Sequence, residues 1–295
     1  MTAQRKAYFY ALATVLMWST VASAFKVTLR YLDYAQLLLY SSFVSICILG
    51  IILIVQDKIK QIFVLDTRQY LFCLCLGFLN PFVYYLILFK AYDLLPAQVA
   101  QPINYTWALM LAFLSIPLLK QNISKKDIIA GIVCYLGVLV ISTRGNLTGF
   151  RIADPLGVAL ALISTVIWAL YWICNTRDGK DPVVGLFLNF SFALPFVIVY
   201  CMLFSELRIP NLPGLIGAIY VGTFEMGITF VLWLRALKLS ENTAKVGNLI
   251  FLSPFVSLIF IHFVVGEDIF LSTFVGLLLI VAGLLYQQLR SVTSS

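Results

Sequence analysis

The 295-residue chain is too apolar for a soluble domain. Hydrophobic residues make up 62% of it and charged residues only 11%, against roughly 45–50% and about 25% in soluble domains. A soluble fold of this length cannot bury so much apolar surface. The net charge of +7 does not indicate a nucleic-acid partner, because the basic residues lie in short linkers between apolar runs and not on one face of a folded domain.

Apolar windows predict ten membrane-spanning helices joined by short, charged linkers, and spans of about 20 residues would use nearly the whole chain. In chain order, the predicted helices cover residues 7–26, 34–55, 69–91, 96–119, 125–143, 153–174, 183–204, 213–236, 243–265 and 269–289. The first apolar run follows Arg5 and Lys6 and imitates a signal peptide, but it is long enough to span. We therefore assign it as the first helix.

The distribution of lysine and arginine predicts the orientation of the chain. With the N terminus inside, the inner segments hold 14 of the 20 basic residues and the outer segments hold 6. An even number of spans places both termini on the same side, so we expect both in the cytoplasm. The lack of targeting extensions suits an integral protein of a bacterial inner (plasma) membrane.

The cysteines and loops indicate neither a metal site nor a cofactor. Cys73 and Cys75 have no second pair and no neighbouring histidine that would complete a zinc site. The sequence contains no phosphate-binding loop of the Gly-x-x-x-x-Gly-Lys type. We therefore expect no bound cofactor, no metal and no direct use of ATP.

The sequence repeats itself at an offset of about 145–150 residues. The matches follow one another in order across four pairs of predicted helices: Trp18 with Trp168, residues 76–92 with 221–237, residues 97–99 with 244–246, and Gly131 with Gly276. Because five spans per repeat is an odd number, the two halves must cross the membrane in opposite directions, as in many secondary transporters. We place the first repeat at residues 1–145, the second at 150–290, and a short cytoplasmic tail at 291–295.

These repeats resemble the EamA-type transporters of the drug/metabolite transporter superfamily over essentially the whole chain. The resemblance is carried by Lys90-Ala91-Tyr92, Ala97, the Gly131-to-Gly137 helix, Arg235-Ala236-Leu237, Ala244, Pro254, Gly266-Glu267 and the Gly276-to-Gly283 helix. The first half departs from the pattern, with Lys120-Gln121 in place of the acidic turn and no counterpart of Pro254. The resemblance implies two five-helix repeats and transport of a small molecule. It does not name the substrate, because relatives export amino acids, drugs and other metabolites.

Glu225 is the clearest ionisable residue at bilayer depth. It lies about twelve residues into the eighth predicted span, near the midplane at a rise of 1.5 Å per residue. A charge there costs about 2.5–3.5 kcal/mol on insertion scales. We hypothesise that this carboxyl exchanges a proton for a cationic substrate; the alternative is a structural glutamate tied to a neighbouring helix. Its repeat counterpart is Asn80, followed by Pro81, which predicts a kink that either exposes carbonyls to a cavity or only serves packing.

Further polar residues at depth are candidates for contact with a solute. Gln101, Asn104 and Tyr105 follow the i, i+3, i+4 spacing of one helix face in the fourth span. Lys245 and Asn248 lie at i, i+3 near the cytoplasmic end of the ninth span. Lys245 either snorkels to the interface, pairs with the midplane carboxyl or binds an anionic group of the substrate.

Three tryptophans inside predicted spans are also candidates. Trp168 and Trp172 share a face of the sixth span, and Trp18 lies on the related first span. Their rings can stack on an aromatic or cationic solute, although tryptophans also mark the membrane interface. His262 is the only histidine, and we expect it to serve packing.

Together these observations predict a secondary transporter, an exporter that moves a small polar or cationic metabolite such as an amino acid by alternating access, with proton coupling through Glu225. The partners are then a small-molecule solute, the lipid bilayer and protons, with no nucleic acid, and the chain acts as a monomer or homodimer. One alternative is a carrier of organic anions or nucleotide-like solutes, for which only Lys90 and Lys245 come near a cavity. The other is a non-transport membrane protein, either an intramembrane enzyme or a receptor. We predict that it is no enzyme, because no nucleophile–base pair or metal-ligand motif is apparent in the sequence.

Overall fold

The computed structural model describes residues 3–119, 125–146, 154–175, 179–240 and 248–288, and the regular structure in these ranges is helical. A short 3-10 helix (Ile59–Phe63) lies between the second and third of ten longer helical segments. The ten are α1 (Ala3–Thr28), α2 (Tyr34–Val55), α3 (Thr67–Leu94), α4 (Ala97–Asn104 and Trp107–Leu119), α5 (Lys125–Ser142), α6 (Pro155–Asn175), α7 (Pro182–Phe204), α8 (Leu212–Phe224 and Ile228–Leu239), α9 (Asn248–Leu252, Ser253–Phe260 and Ile261–Val265) and α10 (Leu271–Gln288). The predicted all-α membrane fold with ten helices is confirmed.

Six of these segments are long and apolar enough to cross a membrane, namely α1, α2, α3, α6, α7 and residues 212–233 of α8. Among the rest, α5, α9 and α10 contain shorter apolar helices, and α4 is divided in two. The end of the bundle at which α1 begins is called here the N-terminal face, and the end at which α1 finishes is called the opposite face.

The helices pack with the internal symmetry expected of two inverted five-helix repeats. In one half, α1 packs on the second part of α8 and on α9, and α2 packs on the first part of α8. In the other half, α6 packs on the second part of α3 and on α4, and α7 packs on the first part of α3. The pairs α2 with α7 and α5 with α10 join equivalent helices of the two halves. Each contact therefore has a counterpart at the repeat offset.

Three of the helices are interrupted in mid-course. In α3 the break falls within Phe78–Val83, where Asn80 has extended backbone angles of φ −147° and ψ 119°. This is the position at which Pro81 predicts a kink, because proline lacks the N–H that a continuous helix needs. Breaks at residues 105–106 of α4 and 225–227 of α8 were not predicted from the sequence.

Small residues bring α5 and α10 into close contact. A Cβ atom placed on Gly137 would lie 2.5 Å from the carbonyl O of Gly276, and one on Gly276 would lie 2.6 Å from the carbonyl O of Gly137. Near the other end of the pair, a Cβ on Gly283 would lie 2.6 Å from Sγ of Cys134. Without a hydrophobic driving force in lipid, helices associate through such close backbone approach.

We therefore expect Gly276→Ala to destabilise the protein by about 1–3 kcal/mol, the usual cost of overpacking. Gly179→Ala is the control, because an added Cβ there meets no atom within 4 Å. Circular dichroism of both variants during unfolding in detergent measures the difference in stability. Equal unfolding midpoints for the two variants would show that this helix pair tolerates expansion.

A salt bridge joins the α2–α3 linker to the start of α7 at the N-terminal face. Nζ of Lys58 lies 2.6 Å from Oδ2 of Asp181, and Oδ1 of the same aspartate accepts from the N–H of Val183 in the first turn of α7. Partial burial acts to raise the pKa of Asp181, but the Lys58 and backbone hydrogen bonds, together with the charge of Lys58, outweigh it and hold this pKa below its ordinary value.

Because folding lowers this pKa, the pair stabilises the protein above the unfolded carboxyl pKa of about 3.9, and the contribution is lost as the pH falls through the folded pKa. Asp181→Asn keeps the N-cap and removes only the charge. We expect it to unfold more easily than the parent by about 0.2–1 kcal/mol at neutral pH, with the difference disappearing in acid. Detergent unfolding at several pH values tests this, and a difference that persists unchanged in acid would contradict it.

Candidate functional site

Glu225 lies at the break in α8, directly after the first part of this helix. The break releases backbone carbonyls, and side chains satisfy two of them. Ser45 of α2 donates to the carbonyl O of Met226 at 2.9 Å, and the hydroxyl of Thr229 donates to the carbonyl O of Phe224. Non-helical backbone at membrane depth is tolerated only where the protein supports it in this way.

Glu225 as a residue is half-buried, and its carboxyl group contacts side chains from other helices. Oη of Tyr85, in α3, donates to its Oε1 at 3.0 Å. The indole Nε1 of Trp18, in α1, lies close to the same carboxyl but makes no hydrogen bond of ordinary geometry. The carboxyl therefore sits where α1, α3 and α8 meet, and its hydrogen bond crosses from the second repeat to the first.

An aromatic cluster extends from this carboxyl through the middle of the bundle. The ring centroids of Tyr85 and Tyr84 lie 4.8 Å apart, and those of Tyr84 and Trp168 lie 4.4 Å apart. The cluster is defined as Trp18, Tyr84, Tyr85, Trp168, Tyr171, Phe230 and Trp233, which are joined by centroid distances of 4.4–6.0 Å. Its members come from α1, α3, α6 and α8, the four helices that the repeat relates in pairs.

The structure places Trp18 and Trp168 within this cluster, and Trp172 lies at its edge. Trp168 stacks on Tyr84 at an interplanar angle of 23°, so in this conformation its ring packs on protein. Trp18 packs between Phe230 and Trp233. Trp172 meets Trp168 edge-on at 5.8 Å, and its buried Nε1 has no hydrogen-bond partner among the described residues.

The predicted polar face of α4 points into the bundle. Nδ2 of Asn104 donates to Oγ of Ser164 in α6 at 3.0 Å and to Oη of Tyr84 at 3.4 Å. Gln101 is buried, and its Oε1 has no partner in the described part of the chain. Tyr105 follows directly after the first part of α4 ends and is half-buried.

Asn80, the repeat counterpart of Glu225, also lies at a helix break. Its side chain is fully buried, and neither Oδ1 nor Nδ2 finds a partner within the described ranges. A buried amide without a partner costs about 1–3 kcal/mol. The two repeats therefore present different polar groups at equivalent breaks, a carboxyl in one half and an unpaired amide in the other.

The remaining predicted residues lie apart from this cluster or outside the described residues. Lys245 falls outside them, and so does its predicted pairing with the midplane carboxyl. Asn248 begins the first turn of α9, but its side chain is not among those described. Nδ1 of His262 lies 3.0 Å from the carbonyl O of Glu267 at the opposite face. Within the described ranges, no three His, Cys, Asp or Glu side chains are placed to hold a metal ion.

Tyr85 was missed by sequence reasoning, although its hydroxyl donates the hydrogen bond that ties the Glu225 carboxyl to the other repeat. One signal was available. A tyrosine inside an apolar run, one turn after a predicted kink, needs a partner for its hydroxyl when it is buried. The identity of that partner, 140 residues away, is decided by which helices meet.

Ten packed helices with internal symmetry, interrupted where polar groups gather, define a polytopic membrane protein, and comparison with known proteins gives its family. The model of the EamA-like transporter family matches residues 5–143 and 155–286. The chain belongs to this family, which confirms the resemblance predicted from the sequence.

Similar proteins are also named as transporters. The uncharacterized transporter YyaM of Bacillus subtilis is 27% identical over 184 residues, which cover 60% of this chain and 59% of that protein. An uncharacterized transporter of Clostridium kluyveri is 22% identical over 293 residues, or 95% of this chain and 92% of the relative. A protein of known crystal structure is 18% identical to this chain. The two align over 99% of this chain and 100% of that protein's chain, at a TM-score of 0.69. This is a likeness of fold alone.

The contrast between the two asparagines gives a test. Asn104→Ala removes two interhelical hydrogen bonds, each worth about 0.6 kcal/mol in membrane proteins, so we expect it to lower the unfolding midpoint. Asn80→Ala removes an amide that has no described partner, and we expect the midpoint to stay level or rise. Unfolding in detergent measures both variants. A larger loss for Asn80→Ala than for Asn104→Ala would show that the amide of Asn80 is held by the protein.

Proposed function

We propose that this transporter is a secondary active exporter of a small polar or cationic metabolite, such as an amino acid, and that it works by alternating access. The carboxyl of Glu225, at a helix break and hydrogen-bonded across the repeats to Tyr85, is the observation that carries the proposal. Transporters commonly bind substrate near the midplane, at the interface of inverted repeats and beside discontinuous helices.

The chemistry around this carboxyl suits a solute with a cationic group. A carboxylate attracts an ammonium group, and aromatic faces attract cations by about 0.5–2 kcal/mol. Three further buried polar atoms have no partner in the described structure and are open to a solute that reaches them: Oε1 of Gln101 and Oδ1 of Asn80 accept hydrogen bonds, and Nε1 of Trp172 donates one. A solute that pairs with these groups recovers the free energy lost by burying them.

The same carboxyl offers a means of coupling to protons. Removing a cationic partner would leave an uncompensated charge in a low-dielectric interior, which is costly. A proton taken up by Glu225 as the substrate leaves removes that cost. Exchange of one proton for one substrate cation would then drive export against a substrate gradient.

The described cations do not favour a carrier of organic anions or nucleotide-like solutes. Lys90 pairs with Asp93 at 2.7 Å and lies over the ring of Tyr34. Lys26 donates to two backbone carbonyls. A non-transport role as an enzyme or receptor is disfavoured by family membership and by the transporter names of the relatives.

The cellular setting is part of the same proposal. We propose that both termini lie in the cytoplasm, that the protein resides in a bacterial inner membrane, and that it acts as a monomer or homodimer. The proposed repeats at residues 1–145 and 150–290 are supported by the two segments that the family model matches, and the proposed tail at 291–295 lies outside the described residues.

Glu225→Gln tests the central residue. Gln can still accept from Tyr85, so we expect the fold to be kept and export to be lost, because the amide carries no charge and exchanges no proton. Cells with equal amounts of parent and variant are compared by mass spectrometry of the medium. A compound enriched by the parent and not by Glu225→Gln is the expected result.

The matched control is Glu206→Gln, which changes an exposed carboxyl paired with exposed Arg208 and should export like the parent. Gel filtration in detergent checks that both variants fold. If Glu225→Gln exports as well as the parent, with the same pH dependence, the proposed role of this carboxyl is wrong.

A further inference from the structure

The corner between α3 and α4, at the opposite face, is held by side chains from distant parts of the chain. On one side of the corner, Nζ of Lys26 in α1 donates to the carbonyl O atoms of Tyr92 and Leu95, each at 2.7 Å. These carbonyls belong to the C-terminal end of α3, where the last turn of a helix leaves acceptors free. A cation at this end also matches the negative end of the helix dipole.

On the other side of the corner, Glu267 caps the first turn of α4. Its Oε1 accepts from the N–H of Ala97 at 2.8 Å, and its Oε2 lies 3.2 Å from the N–H of Gln98. The residue at the cap position is Pro96, which has no side chain able to accept these bonds. The cap is therefore supplied by the α9–α10 linker, in the other repeat.

Gln98 completes this contact in the reverse direction. Its Nε2 donates to the carbonyl O of Asp268 at 2.8 Å, and its Oε1 accepts from the N–H of Phe270 at 2.9 Å and from Oγ1 of Thr273 at 3.1 Å. Gln98 is buried, and both the oxygen and the nitrogen of its amide bond to the other repeat. These three bonds and the two to Glu267 are called here the latch.

We propose that the latch is the closed gate of the transporter at the opposite face. It holds the start of α4 against the α9–α10 linker while that face is shut, and its five hydrogen bonds break when the substrate site opens there. The inference rests on the alternating access of the proposed function.

The chemistry of the latch supports reversible opening. Separating two apolar surfaces exposes them to water at a cost that grows with area, whereas hydrogen bonds are exchanged for bonds to water at a small net cost. A seal made of a carboxylate, an amide and backbone groups therefore opens more cheaply than a packed apolar contact.

Ser23 of α1 is placed to report on this gate. It is buried at 3% exposure, and its Oγ has no partner in the described structure. It lies one helical turn beyond Ser19, which bonds to Ser253 in the interior at 3.2 Å, and three residues before Lys26. Ser23 thus lies between the interior polar groups and the corner that the latch holds.

The test measures thiol accessibility and does not need the substrate. In a chain whose six cysteines are replaced by alanine, Ser23→Cys is reacted with a membrane-impermeant maleimide, in intact cells and in inverted membrane vesicles. We expect slow labelling in the parent background. Adding Glu267→Gln or Gln98→Ala should speed labelling from one side by roughly tenfold, as expected for loss of hydrogen bonds to a charged or buried partner. Glu206→Gln, on the same face but outside the latch, should leave the rate unchanged.

Two latch variants and a folding check keep the result interpretable. Gel filtration and thermal unfolding show whether each variant is folded. If Glu267→Gln is not folded, the test relies on Gln98→Ala. Faster labelling of Ser23→Cys in the folded latch variants than in the parent background, from one side of the membrane, supports the gate. Either side of the membrane counts. Equal rates for latch and control variants overturn it. Because labelling is independent of export, failure of the gate is distinguishable from failure of Glu225→Gln to abolish export.

Discussion

Every backbone N–H and C=O at bilayer depth must find its partner inside the protein, since lipid offers none. This constraint shapes the three interrupted helices more than any other feature. The break in α8 persists because Ser45 and Thr229 supply donors to the carbonyls released around Glu225. The interrupted helices must therefore face the bundle and not the lipid, and the polar groups they carry collect in its interior.

The inverted repeat then sets where those polar groups fall. The breaks in α3 and α8 lie at equivalent positions, but one contributes the amide of Asn80 and the other the carboxyl of Glu225. Identical residues would give two carboxyls at similar depth, which repel each other when both are ionised. With one carboxyl at these two breaks, they carry one site of negative charge and can balance one cation.

At the opposite face, charged side chains bind the ends of helices. Lys26 lies at the C-terminal end of α3 and Glu267 at the N-terminal end of α4, so each charge meets the helix end of opposite polarity. These groups are partly exposed and can exchange protein partners for water. The contact of Glu225 with Tyr85 instead lies among packed helices, where Tyr85 is fully buried. The molecule thus combines a polar interior held by packing with a face held by replaceable hydrogen bonds.

The amino-acid sequence by itself determined the class of fold. The length of each apolar run is dictated by bilayer thickness, a local property, so the predicted and observed helix ends differ by only a few residues. The same holds for the kink at Pro81, which follows from a missing N–H. Only the tertiary structure decided the break at residues 105–106, the Tyr85 bond to Glu225 and the capping of α4 by Glu267. These three features depend on contacts between segments that are distant in sequence. They therefore follow from which helices meet and not from any local sequence pattern.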